Sequence, residues 1–130
     1  MTPTAIFGLA YGAKQVKAAS SSPELPTPVS ASVASEVGKM MLAVVQDPDG
    51  TAYAFNQNVV GVEIAGKTGT AQNGVNNSGL DDAAFTCFAP YANPKIAVGV
   101  IIQGGGYGAT AAAPIAVKVI QAYLKATGNQ

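Results

Sequence analysis

The sequence contains no histidine, no arginine and no tryptophan, and only one of its 130 residues is a cysteine. Without histidine, neither a Ser-His-Asp triad nor a Cys-His pair can form, and no imidazole can bind a metal ion. We therefore expect no metal and no other cofactor. The single cysteine, Cys87, cannot form a disulfide within the chain, and its apolar neighbours favour a buried thiol.

Charge is also scarce. Charged residues make up 11% of the chain, and seven lysines balance seven acidic residues. A nucleic-acid-binding protein is expected to have a basic stripe with arginine side chains, so we expect no nucleic-acid partner. No apolar run reaches the roughly 18 residues that a membrane span requires. Because 48% of the residues are apolar, a chain of this length can form one small domain with a hydrophobic core.

The order of apolar and polar residues predicts an α+β fold. We expect an antiparallel sheet of three main strands, flanked by helices. The predicted elements, in chain order, are a strand or strand pair at 4–16, a loop rich in Ser and Pro at 18–28, a helix at 30–45, an apolar strand at 59–66, a turn-rich loop at 73–82, strands at 84–89 and 95–103, and a helix at 111–125.

Both predicted helices are amphipathic. In the first, Glu36 and Lys39 are expected to face solvent, and residues 47–50 (Asp-Pro-Asp-Gly) are expected to end the helix. Its expected core face comprises Val33, Val37, Met40, Met41 and Val44. The expected core face of the second comprises Ile115, Val119, Ile120, Tyr123 and Leu124.

The motif with the clearest chemistry is Lys67-Thr68-Gly69-Thr70, which we expect at the end of the apolar strand 59–66. Side chains alternate between the two faces of a strand, so Thr68 and Thr70 would present their hydroxyls on one side. Gly69 would leave bare backbone that a ligand can approach closely. Together with the Lys67 ammonium, these groups predict a site for an anion.

A second glycine-rich motif, at residues 104–109, matches the form G-x-G-x-x-A of a dinucleotide-binding fingerprint. That fingerprint also needs an acidic residue about 20 positions further on, at the end of a second parallel strand. No such strand is predicted here. We therefore interpret residues 104–109 as a turn between a strand and a helix. The acidic pairs Asp81-Asp82 and Asp47/Asp49 are likewise interpreted as turn residues.

Lys67-Thr68-Gly69 resembles the Lys-Thr-Gly box of penicillin-recognising serine acyltransferases. The whole chain resembles the carboxy-terminal half of the transpeptidase domain of class B penicillin-binding proteins, in particular the penicillin-binding protein A type. The resemblance rests on the helix 30–45 with its serine start and Met-Met pair, the box-bearing strand 62–72, the hairpin strands 85–90 and 95–103, and the terminal helix 111–124. It implies a β-lactamase/transpeptidase-like fold.

The resemblance also implies roles for the box. Lys67 would take part in proton transfer and keep the pocket positive. The Thr68 and Thr70 hydroxyls would hold the carboxylate of a peptidoglycan stem peptide ending in D-Ala-D-Ala, or that of a β-lactam. Gly69 would leave the strand open to the substrate, and the Thr70 backbone N–H would supply one of two oxyanion-hole donors.

Two motifs of that family are absent from these 130 residues. No lysine has a serine three positions before it, which excludes a Ser-x-x-Lys nucleophile, and there is no Ser-x-Asn. We therefore expect residues 1–130 to be part of a transpeptidase domain, inactive alone, whose partner is a second chain or an upstream segment carrying both motifs. By resemblance it would act on the extracytoplasmic face of the bacterial plasma membrane. The alternative is a noncatalytic structural or interaction module with the same fold and a large exposed apolar face.

Overall fold

The computed structural model describes residues 10–11, 14–15, 29–56, 61–72 and 79–128. The chain divides into two compact units, Met1–Ala31 and Ser32–Gln130. The first unit contains β1 (Ala10–Tyr11) and β2 (Lys14–Gln15), which pair antiparallel. The prediction for residues 4–16 was a strand or a strand pair, and the described residues form a pair. The other residues of 4–16 lie outside the described part, as does the predicted loop 18–28.

The second unit is built around an antiparallel three-stranded sheet in the order β3-β4-β5, as predicted. Because the strands follow one another in the sheet as they do in the chain, β3 forms one edge. The elements from residue 31 onward are α1 (Ala31–Gln46), α2 (Tyr53–Asn56), β3 (Ala65–Ala71), β4 (Asp82–Ala89), β5 (Ile96–Ile102), α3 (Gly108–Ala111) and α4 (Ala113–Thr127).

The hydrophobic core lies between one face of this sheet and α4. Alternate residues of the central strand β4 are buried, as the two-residue period of a strand requires. These residues are Ala83, Phe85, Cys87 and Ala89. They share one cluster with the buried residues of α4, so the central strand and the last helix form the rigid centre of the unit.

The existence of α4 was predicted, but its predicted core face was only partly right. Ile120 and Leu124 are buried, whereas Ile115, Val119 and Tyr123 are exposed. The face that meets the sheet comprises Ala113, Ala116, Val117, Ile120 and Leu124. This stripe has helical spacing, and its small alanine side chains allow the helix to approach the strands closely. The larger side chains therefore lie on the flank of the helix.

Helix α1 also buries a different set of residues from the one predicted. Val33, Val37 and Met40 are exposed, Met40 by 62%, while Gly38 and Val45 are buried. The interpretation of Met40 as a core residue was therefore wrong. The reason is that α1 contacts the sheet through its smallest residue. A β-carbon at Gly38 would lie 3.7 Å from the Phe88 ring and 3.6 Å from the Tyr91 ring.

The solvent face of α1 is as predicted. The Lys39 ammonium donates a hydrogen bond of 2.7 Å to the Glu36 carboxylate, and both side chains are exposed. An exposed pair of this kind contributes little to stability. Within the part of the chain that the structure describes, no helix has the length and apolar character needed to cross a membrane.

Candidate functional site

The Lys-Thr-Gly box lies inside β3 rather than after it. The strand begins at Ala65, and the described residues before it, 61–64, are not in a strand. The range 59–66 predicted from the apolar run was therefore wrong for this strand, although residues 59–60 lie outside the described part. The range 62–72 taken from the family resemblance contains all of β3. The partner strand explains the start of β3. β4 ends at Ala89, and the next residue is Pro90, which has no N–H with which to continue the ladder.

Pairing with β4 fixes which face each box residue occupies. Residues directly opposite each other in an antiparallel pair share a face. Thr68 lies opposite Phe85 and Thr70 lies opposite Ala83, so both threonines belong to the face that α4 covers. Lys67 and Gly69 lie opposite Thr86 and Ala84, on the other face.

No described strand pairs with the outer side of the box, which is here called the free edge of β3. The Lys67 ammonium donates a hydrogen bond of 2.6 Å to the Thr68 carbonyl oxygen, which places that carbonyl on the side of β3 away from β4. In an antiparallel strand, the N–H and C=O of one residue point to the same side, and the side alternates along the strand. The N–H of Thr70, two residues further on, therefore also points away from β4, toward the free edge.

Gly69 takes the opposite position. It lies against Ala84 of β4, and Gly108, the first residue of α3, covers the backbone of both. The middle of the box is thus paired with β4 along one side of the strand and covered by α3 on one face of the sheet. Lys67 and Thr70 are exposed, and Thr68 is half-buried. A rigid strand with an exposed cation, two hydroxyls and an outward N–H is a suitable arrangement for binding an anion and stabilising a developing oxyanion.

Two open hollows flank Lys67. One, of about 410 Å³, lies over the sheet face that carries Lys67 and Gly69 and extends to Thr86, Gly99 and Ile101. The other, of about 360 Å³, lies between Lys67 and the end of α1, and includes the residues Met40, Ala43, Val44, Asp47, Asp49, Gly50 and Thr51. The lysine side chain therefore lies where space for another molecule is present on both sides.

Thr51 is a neighbour of the box that sequence reasoning missed. Its Oγ1 lies 2.9 Å from the Oγ1 of Thr68, a hydrogen bond between two hydroxyls 17 residues apart. The sequence offered only one signal, the Asp-Pro-Asp-Gly turn that ends α1, and that signal does not say where the following residue lies. The structure thus adds one hydroxyl to the four residues of the box.

The glycine-rich motif has the predicted form of a turn. Gly104 and Gly106 both have positive φ, and their N–H groups bond to the Asp82 carboxylate at 2.8 Å and the Asp81 carbonyl at 2.7 Å. Only the four-residue α3 follows directly, and β5 has no parallel neighbour among the described strands. Asp81 and Asp82 therefore secure the turn. The surroundings are not those of a dinucleotide-binding βαβ unit.

The remaining titratable and metal-binding groups do not form a second site in the part of the chain that is described. No group of three or more His, Cys, Asp or Glu side chains is arranged to hold a metal ion there. Cys87 is buried, as predicted, and burial raises the pKa of its thiol to about 11, so the thiol is protonated and unreactive at neutral pH.

Comparison with known proteins identifies the family. A sequence model of the penicillin binding protein transpeptidase domain matches residues 11–121. The peptidoglycan D,D-transpeptidase MrdA of Haemophilus influenzae is 45% identical over 73 residues, which cover 47% of this chain and 11% of the relative. The transpeptidase domain of a peptidoglycan glycosyltransferase from Eggerthella lenta superposes with a TM-score of 0.68 at 31% identity, over 90% of this chain and 25% of that one.

A third similar protein, penicillin-binding protein A from M. tuberculosis, was solved as a penicillin G acyl-enzyme complex. It superposes with a TM-score of 0.58 at 35% identity, covering 74% of this chain and 21% of that one. The resemblance to class B penicillin-binding proteins and the α+β fold are thereby confirmed. The chain spans 11% of the MrdA relative and 25% or less of the two solved chains.

Proposed function

Because this chain belongs to the penicillin-binding protein transpeptidase family, we propose that residues 1–130 form the carboxy-terminal portion of a peptidoglycan D,D-transpeptidase domain. In this proposal β3 supplies the Lys-Thr-Gly wall of the acylation site. The observation that carries it is the free edge of β3, where the Thr70 N–H, the threonine hydroxyls and the Lys67 ammonium are held in one rigid element.

Each box residue has a role that its position supports. The Thr68 and Thr70 hydroxyls, on one face of the strand, hold the substrate carboxylate. The Thr70 N–H points from the edge and serves as one of two oxyanion-hole donors, while Gly69 keeps the strand surface open. Lys67 keeps the pocket positive and takes part in proton transfer with a neighbouring serine.

The attacking group comes from other residues. Since neither Ser-x-x-Lys nor Ser-x-Asn occurs in the sequence, the serine nucleophile and its base belong to a second chain or to another part of the same protein. That serine attacks the substrate carbonyl carbon while the oxyanion forms at the β3 edge. We accordingly propose that these 130 residues are inactive alone, and that the missing part of the domain is the principal partner.

The proposed substrate is a peptidoglycan stem peptide, and β-lactams would occupy the same site. The penicillin G acyl-enzyme complex of the M. tuberculosis relative supports a β-lactam as a ligand. Assembly of the cell wall places the proposed activity on the extracytoplasmic face of the bacterial plasma membrane.

The second candidate function is a noncatalytic structural or interaction module with the same fold. It is favoured by the exposed apolar side chains of α1, namely Val33, Val37 and Met40. A portion of a larger domain would expose the same face, so the face does not separate the two candidates. The reaction with β-lactams separates them, because the function of a noncatalytic module would not depend on Lys67.

A fluorescent penicillin tests the proposal directly. We expect no covalent label on the isolated chain, and a label on an added polypeptide that carries Ser-x-x-Lys and Ser-x-Asn. Lys67→Ala should reduce that label strongly. Lys118→Ala is the matched control, because Lys118 is an exposed lysine on α4, across the sheet. Labelling of the isolated chain, or equal labelling with both variants, would contradict the proposal.

A further inference from the structure

We infer that Thr51 is a positioning residue for the Thr68 hydroxyl and thereby for recognition of the substrate carboxylate. The inference rests on the function proposed above and adds a residue from outside the box. Its basis is the hydrogen bond of 2.9 Å between the two Oγ1 atoms. Thr51 makes this contact from the turn that joins α1 to α2, so the carboxylate-binding hydroxyl is linked to a second element.

The turn that carries Thr51 is fixed on both sides. Before it, the N–H groups of Asp49 and Gly50 bond to Asp47, to its side-chain oxygen at 3.0 Å and its carbonyl oxygen at 2.8 Å. After it, the N–H of Ala52 donates a hydrogen bond of 3.0 Å to the Val44 carbonyl oxygen, and the Ala52 side chain is fully buried. Thr51 is therefore held in place by its backbone neighbours.

Glycine at position 50 is part of this arrangement. A β-carbon there would lie 2.8 Å from the Ala43 carbonyl oxygen and closer still to that of Val44. Only glycine allows the turn to fold back against the last turn of α1 in this way. The position of Thr51 is consequently built into the end of the helix.

The number of protons on the two hydroxyls gives the bond a direction when substrate is present. Each hydroxyl has one proton, and a carboxylate can only accept hydrogen bonds. Thr68 can donate to the carboxylate only if its proton is not given to Thr51, so Thr51 must then donate to Thr68. The result is a chain from Thr51 to Thr68 to the carboxylate, in which the first bond orients and polarises the second.

The expected effect is moderate because both hydroxyls are accessible to water, which can replace a missing partner. Loss of one hydrogen bond of this kind corresponds to a change of about three- to tenfold in rate. The change should be largest for ligands with a free carboxylate. A ligand whose carboxylate is esterified is neutral and accepts only a weaker hydrogen bond from Thr68, so it should respond much less.

The experiment uses the chain together with the rest of its transpeptidase domain and compares acylation by penicillin G with acylation by its methyl ester. Thr51→Val removes the hydroxyl and keeps the side-chain shape, whereas Thr51→Ser restores the hydroxyl. We expect Thr51→Val to slow acylation by the free acid about three- to tenfold and acylation by the ester much less. Thr51→Ser should restore the rate with the free acid. In a Thr68→Val background, Thr51→Val should have no further effect.

The possible outcomes distinguish failure of this inference from failure of the proposed function on which it rests. Equal losses for acid and ester would show that Thr51 serves only folding, and unchanged rates for both would show that it does not act on Thr68. Either result overturns the inference while leaving the proposed function in place. Absence of acylation in the unmodified protein, or an unchanged preference in Thr68→Val, would overturn the proposed function and the inference with it.

Discussion

Gly108 at the start of α3 lies directly on the backbone of Gly69, in the middle of the Lys-Thr-Gly box. A β-carbon at Gly108 would come within 3.1 Å of the Gly69 nitrogen and closer still to the carbonyl oxygens of Gly69 and Ala84. No side chain fits in this space without a shift of backbone. The short helix α3 thus supports the box from the face of the sheet that α4 covers.

Gly108→Ala should therefore damage both the fold and the site. Forcing a methyl group between α3 and the strands should cost about 1–3 kcal/mol of unfolding free energy and displace Gly69. We expect a lower urea midpoint and slower acylation of the partner polypeptide's serine by penicillin. Gly99→Ala is the control, because a β-carbon on Gly99 meets nothing within 4 Å. Equal stability of the two variants would show that α3 can move away without consequence.

The free edge of β3 leads to a second prediction, at Thr70. Proline lacks an N–H but is tolerated on an edge strand when that N–H points away from the ladder. Thr70→Pro should thus keep the sheet and lose the oxyanion donor, reducing the acylation rate about 100- to 1,000-fold. Thr70→Ala keeps the N–H and loses only the hydroxyl, so it should be affected much less.

The measurement is the rate of β-lactam acylation in the assembled domain, together with circular dichroism to confirm that the Thr70→Pro chain remains folded. Similar rates for the proline and alanine variants would argue against the oxyanion role of the Thr70 N–H. Loss of the sheet in the proline variant would show instead that this N–H belongs to the β3–β4 ladder.

The sequence predicted the strands and the long helices because these depend on local periodicity, whereas the box was identified from its residue order and its role stays a prediction. It was wrong about the start of β3 because strand boundaries depend on the partner, here on the end of β4 at Ala89 before Pro90. The apolar run before the box has the composition of a strand, but Pro90 cannot donate to it, and the Glu63 carbonyl accepts from the N–H of Tyr91 at 2.9 Å. The described residues 61–64 are therefore not in a strand.

The helix faces were partly wrong for a related reason. Hydrophobicity favours Val, Ile and Met for the core, whereas close packing against a sheet also favours the small residues at Gly38 and Ala116. The contact between Thr51 and Thr68 was beyond prediction, because it depends on how a turn brings together two residues that are distant in sequence.

The corrected face of α4 can be tested through stability. Ile120 is fully buried, whereas Val119, the adjacent residue, is 44% exposed. Ile120→Ala should lower the free energy of unfolding by about 2–5 kcal/mol, because it leaves a cavity between the helix and the sheet. Val119→Ala should change it by about 0.5 kcal/mol or less. Urea unfolding followed by circular dichroism gives both values. Comparable losses at the two positions would restore the face predicted from the sequence.

The buried Cys87 predicts a pH dependence of stability. Its side chain is 1% exposed, and burial raises the pKa of the thiol from its ordinary value of 9.0 to about 11. Between these values the unfolded chain releases the thiol proton and the folded chain keeps it. The unfolded state then binds fewer protons, so the contribution of Cys87 is fully present below pH 9 and is lost as pH rises toward 11.

Cys87→Ala isolates this contribution, because every other ionisable group is common to both proteins. We expect the difference in unfolding free energy between the unmodified chain and Cys87→Ala to be constant from pH 7 to 8.5 and to shift against the unmodified chain between pH 9 and 11, by at most about 1.4 kcal/mol per pH unit. Urea midpoints measured at half-unit intervals give the curve. Thiolate absorbance at alkaline pH provides an independent check, since the folded protein should titrate near pH 11. Parallel stability curves, or a thiol that titrates near 9 in the folded protein, would show that Cys87 is accessible to water and that the core between β4 and α4 is looser than described.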